Sequence, residues 1–196
     1  MTLKKLAISG AYIATHKVFP DERGLFREWF RAEDLSNIDE SFSVQQANFS
    51  KSKKWVIRGI HYSLAPQGQS KIVTCVSGEI TDVLVDLRVG SPTFLRVEYI
   101  ELSEGSGNVA YIPSGIGHGF IVKSDFSSVV YLTSSEFLPQ YEQSICPTDP
   151  ELGITWPLPT GEQGIISKKD EEAQTLSTAK SMEKLPIYVG KNTFKE

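Results

Sequence analysis

From about residue 40 to residue 135 the chain alternates apolar and polar residues in short runs. Residues 71–94, KIVTCVSGEITDVLVDLRVGSPTF, predict two strands separated by Ser77-Gly78. In the second strand the period of two gives two faces. One carries Val83, Val85, Leu87 and Val89, and the other carries Asp82, Leu84, Asp86 and Arg88.

The same alternation continues further along the chain, in FLRVEYIEL (94–102) and VAYIP (109–113). The segments GFIVKS (119–124) and SSVVYLTS (127–134) predict a pair of strands around a Ser124-Asp125 turn. Strands at intervals of roughly 8–12 residues, separated by glycine and proline turns, are typical of a β-sandwich or barrel. The sequence therefore predicts an all-β fold.

Two segments have a helical pattern, RAEDLSNI (31–38) and KKDEEAQTLSTAKSMEKL (168–185). The second places Leu176, Ala179 and Met182 on one apolar stripe among charged residues, which predicts a C-terminal surface helix. The chain has no internal repeat and no linker between regions of different composition. We therefore expect a single domain over residues 1–196, with a peripheral tail over about 177–196.

Composition excludes some classes of function. The 196 residues include 20 basic and 24 acidic side chains, and the net charge of -4 argues against non-specific binding to nucleic acid. No window approaches the length of a membrane span. The N-terminal segment MTLKKLAISGAYIATHK is interrupted by Ser9, Gly10 and Tyr12, which argues against a signal peptide. We expect a cytoplasmic protein in which Cys75, inside the apolar run IVTCV, is a buried free thiol.

The segment YIPSGIGHGF (111–120) places Pro-x-Gly-x-x-His before an apolar run. It is similar to the second sequence motif of the cupins, in which glycines allow a tight turn that directs a side chain into the barrel mouth. The predicted fold is thus a cupin-type double-sheet jelly roll. Short peripheral helices would accompany it, including one near the C-terminus.

Many cupins hold a metal with two histidines and a carboxylate from a first motif and a histidine from the second. Here the first motif would lie near GIHYSLAPQGQSK (59–71), which contains His61 but no carboxylate, and Ser63 follows two residues later. His16 has no partner at a suitable spacing. The sequence therefore predicts no metal site, and it leaves His118 as either a structural anchor of the turn or a functional residue.

Seven segments, in order, resemble the dTDP-4-dehydrorhamnose 3,5-epimerase family. The resemblance covers about residues 4–175. The motif sequences are more similar to those of the branch that makes deoxysugars for secondary metabolites. Some members of this branch epimerise one carbon only. The segments are KVFPDERGLFREWF (17–30), VQQANFSKSKKWVIRGIHY (44–62), GQSKIVTCVSGEITDVLVDLRVGSPTF (68–94), VAYIPSGIGHGF (109–120), VVYLTSSEFLPQYE (129–142), DPELGITWP (149–157) and ISKKD (166–170).

The resemblance implies a dTDP-4-keto-6-deoxyhexose as substrate and inversion at C3, at C5 or at both, without a cofactor. A base removes the proton next to the C4 ketone, a donor stabilises the enolate and an acid returns a proton to the opposite face. His61 matches the family's base and Asp170 its carboxylate partner. Lys71 matches the lysine that faces the C4 oxygen, and Tyr131 matches the acid. From the residues alone, Tyr131 could be an inward side chain that fills the core, Lys71 a solvated surface residue and Asp170 a charged residue at a helix N-terminus.

The resemblance also assigns the nucleotide contacts. Arg58 would contact the diphosphate, Gln46 and Asn48 would make polar contacts, and His118 would contact the substrate. The segment that contains Phe19, Arg23 and Glu28 would reach the nucleotide from a partner subunit, which implies a homodimer with shared sites. Lys169 would add positive charge near the phosphates.

Phe137 departs from the family pattern, because a tyrosine is common at this position. If that hydroxyl orients the nucleotide or the sugar, its loss changes binding or the carbon that is reprotonated. The sequence leaves open whether one or two carbons are epimerised, because this depends on how the sugar ring flips in the pocket and where Tyr131 points. Two further alternatives remain: a sugar-nucleotide 3,4-ketoisomerase on the same scaffold, and a cupin that binds a nucleotide sugar without catalysis. The presence of His61 and Tyr131 argues against the binding protein, and the RGIH and VYL contexts together with Lys71 favour the epimerase.

Overall fold

The computed structural model describes residues 1–64 and 68–190, which form two large β-sheets packed face to face. In chain order the strands are β1 (Thr2–Lys5), β2 (Tyr12–Thr15), β3 (Val18–Asp21), β4 (Gly24–Arg27), β5 (Gln46–Lys53), β6 (Val56–Ser63), β7 (Lys71–Ser77), β8 (Glu79–Asp86), β9 (Val97–Ser103), β10 (Asn108–Ile112), β11 (Ile116–Val122), β12 (Phe126–Thr133), β13 (Glu142–Ser144) and β14 (Ile165–Ile166).

The first sheet has the order β1-β2-β10-β7-β12-β5, and its neighbouring strands are antiparallel. The second sheet has the order β13-β6-β11-β8-β9, with β14 beside β6 in parallel, and β3 and β4 form a separate hairpin. From β5 to β12 the chain crosses repeatedly from one sheet to the other. This arrangement confirms the predicted cupin-type double-sheet jelly roll.

The predicted pairing of strands around the Ser124-Asp125 turn is wrong. Strand β11 pairs with β6 and β8 in the second sheet, whereas β12 pairs with β5 and β7 in the first. Val122 and Val129 both lie in the core between the sheets, so the two strands lie in opposite sheets on either side of the core. Alternation predicts a strand and its inner face, but it does not specify the hydrogen-bonding neighbour.

Three apolar clusters explain why many strands are buried on both faces. The cluster between the sheets contains Val73, Leu84 and Cys75, which is a buried free thiol as predicted. A second cluster covers the outer face of the second sheet, where Val85 and Leu87 meet the C-terminal segments. A third covers the outer face of the first sheet. Each fully buried aliphatic side chain contributes roughly 1.5–3 kcal/mol of transfer free energy.

The helices are short and peripheral, as predicted: α1 (Ala32–Ser36), α2 (Lys168–Glu171) and α3 (Leu176–Ser181). The single helix predicted over 168–185 is wrong, because the Thr175 hydroxyl caps the start of α3 by accepting from the Thr178 N–H. Met182 is exposed and does not join the apolar stripe. No helix among the described residues is long and apolar enough to cross a membrane.

The C-terminal segment also contributes to the packing. Leu176, Ala179 and Leu185 are buried against the outer face of the second sheet, beside Tyr62 of β6. This contact fixes the region that follows α2. The division of the chain into domains stays a prediction.

Candidate active site

A cavity of about 480 Å³ opens between the two sheets, above the apolar core. Both sheets supply its walls: β6 and β11 from the second sheet, and β5, β7 and β12 from the first. Eight of the twelve side chains singled out in the sequence line it: Gln46, Asn48, Arg58, His61, Lys71, His118, Tyr131 and Lys169.

A β-bulge in β6 allows Arg58 and His61 to share this cavity. Residues three apart on a regular strand point to opposite faces. Here Arg58 pairs with Phe120 and His61 with His118, so β6 has one residue more than β11 between these pairs. Gly59 has φ of +118°, and a Cβ there would lie 2.6 Å from the Gly119 Cα. Only glycine therefore fits the bulge.

The His61 ring bonds to a carboxylate at the edge of the cavity. Its Nε2 lies 2.7 Å from Asp170 Oδ1. The His61 side chain is 42% exposed, whereas that of Asp170 is only 6% exposed. With Nε2 engaged, Nδ1 is the ring nitrogen that makes no hydrogen bond within the described part of the chain.

Helix α2 positions Asp170. The Ser167 hydroxyl caps this helix by accepting from the Asp170 N–H at 3.1 Å. Burial alone would raise the pKa of Asp170, but hydrogen bonds from His61, Ser167 and the Gly59 backbone outweigh it and hold the pKa below its ordinary value. Asp170 is therefore an ionised partner for the imidazole.

Lys71 begins β7 and extends toward the cavity from the wall opposite His61. It is buried, and its ammonium makes no hydrogen bond or ion pair within residues 1–64 and 68–190. Burial lowers the pKa of Lys71, and the Glu142 and Asp82 carboxylates oppose this shift. The turn predicted before Lys71 lies partly outside the described residues.

Tyr131 lies on the inner face of β12, between Val129 and Thr133, and packs on the central core. Its side chain also lines the cavity, so Tyr131 both packs on the core and reaches the active site. Burial raises the pKa of the Tyr131 phenol, opposed by Arg58 and reinforced by Glu142. The phenol is therefore a proton donor at neutral pH.

A second histidine–aspartate pair lies beside the first. His118 Nε2 lies 2.6 Å from Asp82 Oδ1, and Asp82 is fully buried. Sequence reasoning placed Asp82 only on one face of a strand and did not single out Glu142, which lines the cavity from β13. The Ser63 hydroxyl donates a hydrogen bond to Glu142. An acidic residue at an inward-facing strand position was the available signal for Asp82.

The remaining polar groups lie nearer the cavity mouth. Arg58 Nε donates to Ser52 Oγ at 3.0 Å, which fixes the guanidinium. The Gln46 amide donates to Asn48 Oδ1 and accepts from the Phe137 N–H, both at 2.8 Å. Gln46 thus holds the segment that presents the Phe137 ring to the cavity.

Phe19, Arg23 and Glu28 do not line the cavity of their own chain. They lie on and just after the β3–β4 hairpin, where Phe19, Leu25 and Phe26 are exposed. The apolar side chains of this hairpin are therefore largely exposed to solvent in the described chain.

Within residues 1–64 and 68–190, no three His, Cys, Asp or Glu side chains cluster closely enough to hold a metal ion. The two histidines of the cavity instead bond to separate carboxylates. The predicted lack of a metal stays a prediction.

A jelly roll whose inner cavity combines paired imidazoles, a buried ammonium and a phenol defines a cupin-type enzyme built for proton transfer. The chain belongs to the dTDP-4-dehydrorhamnose 3,5-epimerase family, whose model matches residues 5–178. Members of this family are isomerases.

Relatives of differing specificity are similar to the chain. The dTDP-4-dehydrorhamnose 3,5-epimerase of Mycobacterium tuberculosis is 39% identical over 189 residues, 96% of this chain and 94% of the relative. The crystal structure of NovW, a 4-keto-6-deoxy sugar epimerase from the novobiocin gene cluster of Streptomyces spheroides, has a TM-score of 0.89 and 40% identity and covers 96% and 94% of the two chains. The structure of ChmJ, a 3'-monoepimerase from Streptomyces bikiniensis in complex with dTDP-quinovose, has a TM-score of 0.85 and 39% identity and covers 93% and 92%.

Proposed function

We propose that this enzyme epimerises a dTDP-4-keto-6-deoxyhexose in the cytoplasm at C3, at C5 or at both. The observation that carries the proposal is the position of the His61–Asp170 pair on one wall of a cavity whose other wall holds Lys71 and Tyr131. Epimerisation requires a base and an acid on opposite faces of the sugar. Two facing sheets supply this separation.

His61 is the base. Its Nδ1 takes the proton from the carbon next to the C4 ketone, and the electron pair of the C–H bond moves into the enolate. Asp170, held ionised, fixes the ring through Nε2 and stabilises the imidazolium that forms. A positioned general base of this kind contributes roughly 10²–10⁴-fold in rate.

Lys71 stabilises the enolate oxygen at C4. A buried ammonium with no hydrogen-bond acceptor among the described residues is ready to donate when charge develops on that oxygen. Removal of one such donor typically costs roughly 3–4 kcal/mol of barrier. This interaction is stronger with the enolate than with the ketone, so it lowers the barrier of the chemical step.

Tyr131 is the acid. Its phenol, kept protonated by burial, gives a proton to the face of the enolate opposite His61. The C–H bond formed there inverts the carbon. Solvent then returns a proton to the tyrosinate and takes one from the imidazolium, so no net proton is consumed.

The nucleotide binds at the mouth of the cavity. Arg58 and Lys169 supply positive charge for the diphosphate, and Gln46 and Asn48 supply polar contacts. The Phe137 ring provides an apolar platform for the thymine base.

The enzyme is a homodimer in which each subunit completes the site of the other. Phe19, Arg23 and Glu28 would reach the partner's nucleotide from the exposed β3–β4 hairpin. Exposed aromatic and aliphatic side chains on a two-stranded hairpin support this arrangement, since such a patch is typical of an interface.

Solvent exchange tests the reaction. Incubation with dTDP-4-keto-6-deoxyglucose in deuterated water should place deuterium at each epimerised carbon, and NMR then distinguishes C3, C5 and both. His61→Asn should abolish the exchange, whereas His16→Asn, which changes a histidine outside the cavity, should not. No exchange at either carbon would refute the epimerase, and a carbonyl that appears at C3 would identify a ketoisomerase.

A further inference from the structure

Asp82 lies directly behind the cavity wall. In the β8–β11 ladder His118 pairs with Leu84, so Asp82 is a diagonal neighbour of His118 on the same inner face. The two side chains meet at 2.6 Å, between His118 Nε2 and Asp82 Oδ1. Asp82 is completely buried, and His118 lines the cavity in front of it.

The second oxygen of Asp82 has no hydrogen-bond partner among the described residues. A buried carboxylate oxygen without a donor is costly unless a nearby positive charge compensates it. Within the described chain, His118 is the one hydrogen-bond partner of the Asp82 side chain.

We propose that Asp82 is a positioning residue for His118, whose orientation and tautomer it fixes. This proposal rests on the epimerase function above. With Nε2–H donated to Asp82, the neutral His118 ring presents Nδ1, a hydrogen-bond acceptor, to the substrate. Lys71 presents only donors.

The consequence is a division of labour at the carbonyl. Lys71 donates to the C4 oxygen, and His118 accepts from a hydroxyl group of the sugar. If Asp82 were neutral, His118 would be free to adopt the other tautomer and present a donor, which the hydroxyl would no longer match as well. Asp82 would thus select the substrate's orientation.

The tautomer is measured directly by long-range ¹H–¹⁵N NMR of the ¹⁵N-histidine-labelled wild-type enzyme, with His16 and His61 assigned through His16→Asn and His61→Asn. We expect His118 in the Nε2–H form when neutral, and a mixture of both tautomers in Asp82→Asn. Asp149→Asn is the matched control, because Asp149 is a buried carboxylate that caps backbone N–H groups outside the cavity. Wild-type His118 in the Nδ1–H form would overturn the proposal.

Solvent exchange gives the second readout. We expect Asp82→Asn to lower kcat by about 10–100-fold, as loss of an orienting partner does, with a smaller change in KM, and Asp149→Asn to leave both unchanged. An unchanged kcat in Asp82→Asn would overturn the proposal. If the wild-type enzyme shows no exchange, the proposed epimerase function is refuted. The tautomer of His118 then still tests, independently of activity, whether Asp82 orients that ring.

Discussion

His61 and His118 are register partners on β6 and β11, and each bonds through Nε2 to a different aspartate. The two pairs have similar lengths, 2.7 Å to Asp170 and 2.6 Å to Asp82, but different surroundings. The His61 side chain is 42% exposed and that of His118 is 10% exposed. The accessible ring suits proton transfer, and the enclosed ring suits a fixed contact.

Asp170→Asn should lower the rate of substrate exchange by about 10²–10⁴-fold, because a neutral amide cannot stabilise the imidazolium of His61. The measurement is kcat for deuterium incorporation. Glu171→Gln is the matched control, since Glu171 is the next residue of α2 and is exposed. Equal losses of kcat in both variants would show that a disturbed α2, and not the missing Asp170 carboxylate, lowers the rate.

Asp170 also makes stability depend on pH. Its pKa is lower in the folded chain than in the unfolded chain, so its stabilising effect is full above the unfolded pKa and is lost as pH falls through the folded value. The difference in unfolding free energy between the wild type and Asp170→Asn should therefore shrink in acid. Urea unfolding across that pH range measures it, and a difference independent of pH would contradict the ionised pair.

Gly59→Ala should destabilise the fold and abolish exchange. The new Cβ would lie 2.6 Å from the Gly119 Cα and the His118 carbonyl oxygen, so the bulge that aligns Arg58 with His61 cannot persist. Gly24→Ala controls for backbone strain, because Gly24 has a similar φ of +127° but open space around its Cβ. We expect a cost of about 1–3 kcal/mol from strain in each, and a further loss only at Gly59. Equal unfolding free energies would contradict the steric argument.

Phe137→Ala should raise KM by about 5–150-fold with little change in kcat, since base–aromatic stacking contributes roughly 1–3 kcal/mol. Phe126→Ala is matched in exposure, 53% against 54% for Phe137, but Phe126 does not line the cavity. Initial rates over a range of substrate concentrations distinguish the two. A KM increase in both variants, or in neither, would contradict the proposed stacking of the nucleotide base on Phe137.

Phe26→Asp should convert the proposed homodimer to monomers and raise KM, because the hairpin would no longer reach the partner's nucleotide. Phe26 is 69% exposed on β4. Ile187→Asp is the control, since Ile187 is 65% exposed in the C-terminal segment. Sedimentation measures the mass and exchange kinetics measure KM. A Phe26→Asp protein with wild-type mass and KM would refute the shared site.

Much of the fold could be predicted from the sequence, because inward apolar residues repeat with a period of two. The partner of each strand could not. Val122 and Val129 have the same inward pattern whether their strands are neighbours or face each other across a core. The break between α2 and α3 could not be predicted either. It is marked by one helix cap, at Thr175, which is hard to recognise within a weak helical pattern.

The candidate site was predictable where the chemistry is carried by motifs. His61, Lys71 and Tyr131 were singled out through the resemblance to a known family, and the structure brings them to one cavity. Asp82 was missed because the alternation along β8 shows on which face the side chain lies but not which side chain it contacts. The bulge at Gly59 was missed because glycine in a strand has several explanations.

The repeated crossing between sheets has a consequence for how the enzyme forms. Among the described strands between β5 and β12, only β8 and β9 are consecutive strands paired in one sheet. Few strands can therefore pair before distant parts of the chain meet, and such topologies fold slowly. His61 and Tyr131 come from different sheets, so no early hairpin contains a working fragment of the site. Activity should be the last property to return on refolding, together with closure of the barrel.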